Sequence, residues 1–110
     1  MVLEQSLSGR PRERAKAHAK ATLPHVCAMC GYAIDMTADP FRDPLACAVD
    51  EWYPRDRGGS GVDHTNLTLQ HRWCNGSKGK RWPVTQEMRE RCRTHITQLL
   101  AAKQPTIRTW

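Results

Sequence analysis

The sequence has little of the apolar material from which large cores are built. Of its 110 residues only 6% are aromatic, with a single Phe, and Leu, Ile and Val are sparse. A domain this small buries a limited fraction of its surface, and such domains often depend on a cross-link for stability. The composition therefore predicts one small domain and favours a structural metal ion within it.

Long apolar runs are also missing. No segment approaches the roughly 20 apolar residues of a membrane span, and the N-terminus has no apolar h-region of a signal peptide. The five cysteines are odd in number, which is more typical of reduced thiols and metal binding than of a disulfide framework. We therefore expect a cytoplasmic protein that does not contact a membrane.

Acidic residues are scarce outside the middle of the chain. From residue 72 to the C-terminus there are nine Lys/Arg and two Glu, and residues 10–20 contain five Lys/Arg and one Glu. Residues 35–63 reverse this balance, with seven Asp/Glu and three Arg. Basic flanks around an acidic centre suit a protein that binds a polyanion and holds a divalent cation against it. Charge alone is equally compatible with an ordinary solubilising surface.

Two pairs of metal-ligating residues share one spacing. Cys27 and Cys30 are separated by two residues, and so are His71 and Cys74. One tight turn can direct both members of such a pair at the same ion, and two such turns usually complete a tetrahedral zinc site. The sequence therefore predicts a closed, structural Cys₃His zinc site. The alternative is four separate reduced side chains in a core.

Local patterns predict an α+β fold with flanking helices. Residues 45–50 and 66–70 resemble strands on either side of a long loop, and a polar helix is expected near Asn75, which gives a β-β-α order. We divide the chain into a basic N-terminal arm or helix at 1–22, a zinc-stapled core at 23–84 and a basic C-terminal helix and tail at 85–110.

The C-terminal helix is the most regular of these elements. Thr85 is a suitable N-cap, and apolar side chains recur after it at helical spacing. We expect this apolar stripe to pack on the core and Arg89, Arg91 and Arg93 to point outward. The N-terminal segment has almost no apolar stripe, so it is either a solvated helix or an arm that becomes ordered on nucleic acid.

The centre of the chain contains an ordered series of short motifs. They are Val49-Asp50-Glu51-Trp52-Tyr53-Pro54, Gly58-Gly59, Asn66-Leu67, His71-Arg72-Trp73-Cys74-Asn75 and Lys78-Gly79. In order and spacing, residues 27–80 resemble the HNH endonuclease family, especially its short, zinc-containing phage-type members. The resemblance implies a ββα-metal fold and a metal-dependent endonuclease that hydrolyses phosphodiester bonds in DNA. It also suggests a phage or prophage product in a bacterial host, with phage packaging proteins as further partners.

The resemblance assigns functions to individual residues. Asp50 and Asn75 match the residues that hold the catalytic Mg²⁺ or Mn²⁺, and Asn66 matches a residue that braces the loop. Glu51 departs from the family, which has a general-base His at this position. Glu51 is either a weaker base or a third oxygen ligand of the ion. His64 is the local alternative base.

The resemblance also implies how DNA is bound. The helix carrying Asn75 would lie along the minor groove, and phosphates would be neutralised by four basic side chains: Arg72, Lys78, Lys80 and Arg81. A lone active site favours nicking unless the protein dimerises. One rival interpretation is a zinc-stapled DNA-binding module whose catalytic position has decayed at Glu51. Another is a zinc-ribbon adaptor that binds proteins.

Overall fold

Three helices and a two-stranded antiparallel sheet form the part of the chain that the structure describes, residues 10–103 of a computed structural model. In chain order they are α1 (Arg10–Thr22), β1 (Cys47–Glu51), β2 (Leu67–His71), α2 (Arg72–Lys78) and α3 (Gln86–Lys103). The predicted α+β class is confirmed. The ends of the predicted arm and tail, residues 1–9 and 104–110, lie outside the described residues.

The two strands pair with a register that buries one face of the sheet. Val49 pairs with Leu69 and Asp50 with Thr68, and the side chains of Val49, Leu67 and Leu69 are all buried. Strand β1 begins later than predicted, at Cys47, because Asp43 forms a turn there: its Oδ1 accepts the Leu45 N–H at 2.9 Å. A short apolar run therefore located β1 and alternation located β2, but neither pattern revealed this turn.

Helix α2 begins immediately after β2. The N–H groups of its first two residues donate to backbone carbonyls that precede β1, Arg72 to Ala46 at 2.7 Å and Trp73 to Pro44 at 2.9 Å. The first N–H groups of a helix have no partner within the helix, so these bonds satisfy donors that would otherwise need water. They also fix the direction of α2 relative to the sheet.

Helix α1 packs against the sheet through two small residues. Ala15 and Ala19 are spaced at i, i+4 and are 5% and 4% exposed. Small side chains let the helix backbone approach the strands closely, so a conventional stripe of large apolar residues is not required. The approach also directs Arg12 toward the end of β1, where its guanidinium contacts Glu51.

Helix α3 has the predicted cap and core face, but not all of its arginine side chains point in the predicted direction. Thr85 Oγ1 accepts the Met88 N–H at 3.2 Å, and the side chains at the centre of the stripe are buried. The outward direction expected of Arg89 is wrong, because its side chain is half-buried, whereas Arg91 and Arg93 are exposed as expected. Arg89 donates to the Ala28 carbonyl at 2.8 Å and Arg93 to the Cys30 carbonyl at 3.2 Å. Carbonyls in the Cys27–Cys30 turn need donors, and these guanidinium groups supply them.

None of the helices within residues 10–103 has the length and apolarity needed to cross a bilayer.

The loop between the strands is closed by Asn66. Its Oδ1 accepts the Tyr53 N–H at 2.8 Å, and its Nδ2 donates to the carbonyls of Tyr53 and Ser60, each at 3.0 Å. Gly59 lies against the Tyr53 carbonyl, and a Cβ atom at position 59 would be 1.8 Å from Tyr53 O. A side chain at position 59 would therefore open the loop that Asn66 holds.

Gly59 is tightly packed and Gly76 is not, so the two glycines form a matched pair for substitution. We expect Gly59→Ala to lower the free energy of unfolding by about 3 kcal/mol, because backbone atoms must move to admit the methyl group. Gly76 lies within α2 with open space around it, so Gly76→Ala should raise stability by about 0.5–1 kcal/mol through helix propensity. Urea denaturation of both variants measures the difference, and equal effects would contradict the assigned loop packing.

Candidate functional site

The four residues with paired spacing come together in one buried cluster. Cys27, Cys30, His71 and Cys74 are each 2% exposed or less, and their ligand atoms lie within 4.8 Å of one another. The first pair lies in the turn after α1, and the second pair spans the junction of β2 and α2. A Cys₃His cluster of this geometry can hold a metal ion, as the spacing predicted.

Backbone hydrogen bonds shape the Cys27–Cys30 turn around its sulfur atoms. The turn closes with the Gly31 N–H donating to the Cys27 carbonyl at 2.9 Å, and Gly31 has a φ of +83°, which favours glycine. The Ala28 N–H donates to Leu69 O at 2.9 Å and so docks the turn on β2. The turn is therefore held against the strand that ends at His71.

Backbone N–H groups point at two of the sulfurs. Cys27 Sγ lies 3.5 Å from the Cys30 N and 3.4 Å from the His71 N, and Cys30 Sγ lies 3.5 Å from the Tyr32 N. Such donors stabilise the thiolate, which is the negatively charged form of cysteine that binds metal.

The His71 ring is oriented by both of its nitrogens. Nε2 lies 3.0 Å from the Ala33 carbonyl, an acceptor, so this nitrogen carries the proton. Nδ1 then presents its lone pair to the cluster, 3.3 Å from Cys30 Sγ and 4.0 Å from Cys74 Sγ. A backbone carbonyl behind a ligating histidine is the usual outer partner in metal sites.

The sulfur atoms compete with one another for negative charge. Hydrogen bonds from the thiols of Cys30 and Cys74 lower the pKa of Cys27, whereas the neighbouring Cys27 and Cys30 raise the pKa of Cys74. Within the cluster, negative charge is therefore favoured on Cys27 and disfavoured on Cys74. A cation at its centre would stabilise the others, so the donor set fits a closed structural metal site.

A second group of polar side chains lines a cleft of about 290 Å³ at the other end of β1. Asp50, Glu51 and Asn75 form one side, and Arg55 and Lys80 are among the residues that complete it. Among the described residues, the buried Oδ1 of Asn75 finds no hydrogen-bond donor. An orphaned oxygen beside carboxylates is a suitable ligand for a hard divalent cation, so the donor set fits Mg²⁺ or Mn²⁺.

The adjacent carboxylates have different environments. Asp50 Oδ1 accepts the Glu51 N–H at 2.8 Å, and burial, followed by the contact with Glu51, raises the pKa of Asp50. Burial would also raise the pKa of Glu51, but hydrogen bonds from Arg12 and Asp50 outweigh it and lower that pKa. Arg12 Nη2 lies 2.6 Å from Glu51 Oε2 and 3.7 Å from Asp50 Oδ1. Arg12 therefore stabilises the ionised form of Glu51.

The four predicted DNA-binding side chains occupy different surroundings. Lys80 lines the cleft and pairs with Asp56 at 3.1 Å, and Arg81 is exposed. Arg72 lines a separate open groove of about 640 Å³, together with Arg91. Asn75 lines both the cleft and the groove, so the two depressions meet at this residue.

Lys78 does not fit the predicted phosphate contact. Its side chain is 1% exposed because it lies on the inner face of α2, with Nζ 5.7 Å from the centroid of a Trp52 ring. Burial lowers the pKa of Lys78. A lysine so placed packs in the interior and is not available to contact a phosphate.

Sequence reasoning did not assign Arg12 or Arg55 to the site. Arg12 comes from a helix far away in sequence, and no local pattern connects it with Glu51. Arg55 is four residues after Glu51, and that spacing was the one available signal.

His64 stacks on His18 of α1, with ring centroids 4.3 Å apart, so it joins the loop to α1.

Comparison with known protein families, curated proteins and solved structures finds no match for this chain.

The cluster generates a prediction about metal content. We expect the purified protein to carry about one metal ion per chain, and Cys27→Ser to lose the ion and the cooperative thermal transition, because binding energy at such a site is folding energy. Elemental analysis and thermal denaturation measure both. Cys47→Ser is the matched control, since Cys47 lies outside the cluster. Equal metal content in the Cys27 variant and the wild type would contradict the assignment.

Proposed function

We propose that the protein is a metal-dependent DNA endonuclease of the HNH type, a small ββα-metal domain that hydrolyses phosphodiester bonds. The observation that carries this proposal is the cleft lined by Asp50, Glu51 and Asn75, the last of which has an Oδ1 without a hydrogen-bond donor. In the resemblance to that family, Asp50 and Asn75 match the ion-binding positions, whereas Glu51 stands where the family has a His. The Cys₃His cluster would hold Zn²⁺, whose preference for four sulfur and nitrogen ligands it matches.

Asp50 and Asn75 would hold the catalytic ion. They lie on different elements, β1 and α2, and both residues line the same cleft. Mg²⁺ or Mn²⁺ bound there would supply Lewis-acid stabilisation of the charge that develops on the leaving 3′-oxygen. The strand and the helix fix the two oxygens in advance, which reduces the reorganisation that binding requires.

Basic side chains would hold the DNA backbone on both sides of Asn75. Lys80 lies on the cleft side, and Arg72 and Arg91 lie on the groove side. The chain carries a formal net charge of +6, which favours association with a polyanion. A strand crossing Asn75 would thus meet cations before and after the scissile phosphate.

A second candidate is a zinc-stapled DNA-binding module without catalytic activity. The position of Arg12 favours it, since a guanidinium 2.6 Å from Glu51 and 3.7 Å from Asp50 already compensates the acidic pair. A site neutralised by its own arginine has less need of a divalent cation. The two candidates differ in whether DNA is cut.

Plasmid cleavage distinguishes them. With supercoiled plasmid and Mg²⁺ or Mn²⁺, we expect conversion to the nicked form, and gel electrophoresis separates nicked from linear product. Asp50→Ala and Asn75→Ala should each reduce the rate by at least about 100-fold, because each removes an oxygen ligand of the ion. Metal content of the cluster and thermal stability should remain unchanged.

Glu87→Ala is the control for loss of one acidic group, because Glu87 is exposed in the first turn of α3. It should cleave at the wild-type rate. Wild-type protein that binds DNA and leaves the plasmid intact with either ion would refute the nuclease and support the binding module. Full activity in the Asp50 or Asn75 variant would refute the assigned site.

A further inference from the structure

Both carboxylate oxygens of Glu51 are close to guanidinium groups. Oε2 accepts a hydrogen bond from Arg12 Nη2 at 2.6 Å, and Oε1 lies 3.6 Å from Arg55 Nε. The Glu51 side chain is only 7% exposed, so these arginines provide much of its surroundings. An oxygen that already contacts a guanidinium is less available to a metal ion or to an attacking water.

Arg55 is placed between Glu51 and solvent. It is the first residue of a single 3₁₀ turn, Arg55–Arg57, whose geometry is set by two hydrogen bonds: Arg57 N–H to Pro54 O at 2.9 Å and Gly58 N–H to Arg55 O at 3.0 Å. The Arg55 side chain lines the cleft and is 58% exposed. Its Nε therefore faces Glu51 while part of the side chain remains accessible from the cleft.

Gly61 packs against all three charged side chains. A Cβ atom at this position would lie 3.1 Å from Arg12 Nε, 3.2 Å from Arg55 Cδ and 3.4 Å from Glu51 Oε2. The loop backbone thus approaches the ion pairs closely enough to restrict their side chains. Arg12 is a residue of α1, and this helix is held in place because it packs on the sheet through Ala15 and Ala19.

We propose that Arg55 is a phosphate-binding residue of the cleft and that Glu51 is the positioning residue that holds it, anchored in turn by Arg12. The ligand is a phosphodiester oxygen of the DNA backbone, so the inference rests on the proposed function. A guanidinium is suited to this task, since its Nε–H can face a carboxylate while its Nη–H groups donate to phosphate. Glu51 is then neither the base nor a ligand of the ion.

The proposal predicts that one substitution changes DNA affinity in the direction opposite to the one expected from its charge. Removing a negative charge beside a DNA-binding cleft should tighten DNA binding if electrostatic repulsion is all that changes. If Glu51 positions Arg55, then Glu51→Gln should weaken binding instead, because Arg55 loses its fixed direction. The two effects have opposite signs, so a binding constant distinguishes them without any need for cleavage.

Fluorescence anisotropy with a labelled DNA duplex tests this, over a series of salt concentrations and without added Mg²⁺. We expect Arg55→Ala to weaken binding about tenfold and to reduce the slope of log K against log salt by about 0.9, the value for one lost phosphate contact. Arg57→Ala is the matched control, because Arg57 lies in the same turn, is exposed and does not line the cleft. Its affinity should change less than twofold.

A double-mutant cycle completes the test. Glu51→Gln should weaken binding severalfold in the wild-type background but should not weaken it further in the Arg55→Ala background, because no Arg55 side chain is left to position. Tighter or unchanged binding by Glu51→Gln would overturn the proposal, and so would an equal loss in Arg57→Ala. Metal content and melting temperature verify that each variant is folded. If the wild type binds DNA without cutting it, the proposed nuclease activity is refuted. The double-mutant cycle still decides whether Arg55 binds phosphate, because it measures binding alone.

Discussion

The Cys₃His cluster is the constraint on which the rest of the structure depends. His71 is the last residue of β2 and Cys74 lies in the first turn of α2, so a shared ion would fix the angle between strand and helix. That angle brings Asn75 to the side of α2 that meets Asp50 on β1. With so little apolar material in the core, packing alone would define this angle poorly.

Features set by local patterns were predictable from the sequence. The paired spacing of Cys27 and Cys30 with His71 and Cys74 identified the cluster, because ligand spacing within a turn is a local property. A short apolar run located β1, alternation located β2, and the Thr85 cap located the start of α3. Each of these signals lies within a few residues, and none depends on how distant segments pack.

Features set by distant contacts were not predictable. Lys78 and Lys80 are both basic residues near the end of α2, yet the side chain of Lys78 is buried and that of Lys80 lines the cleft. Composition does not reveal which face of α2 packs inward. The pairing of Arg12 with Glu51 likewise requires α1 to dock on the sheet, and small alanines give a weak signal for such docking. As a result, the charged surroundings of the cleft were visible only in three dimensions.

The start of α2 has a further consequence for anion binding. A helix N-terminus ordinarily offers unpaired N–H groups and a partial positive charge to phosphate. Here two of those groups are already used by the carbonyls of Ala46 and Pro44. These two N–H groups thus hold the fold, and recognition of the proposed DNA phosphates would fall to side chains, whose charge can be changed by a single substitution without disturbing the helix.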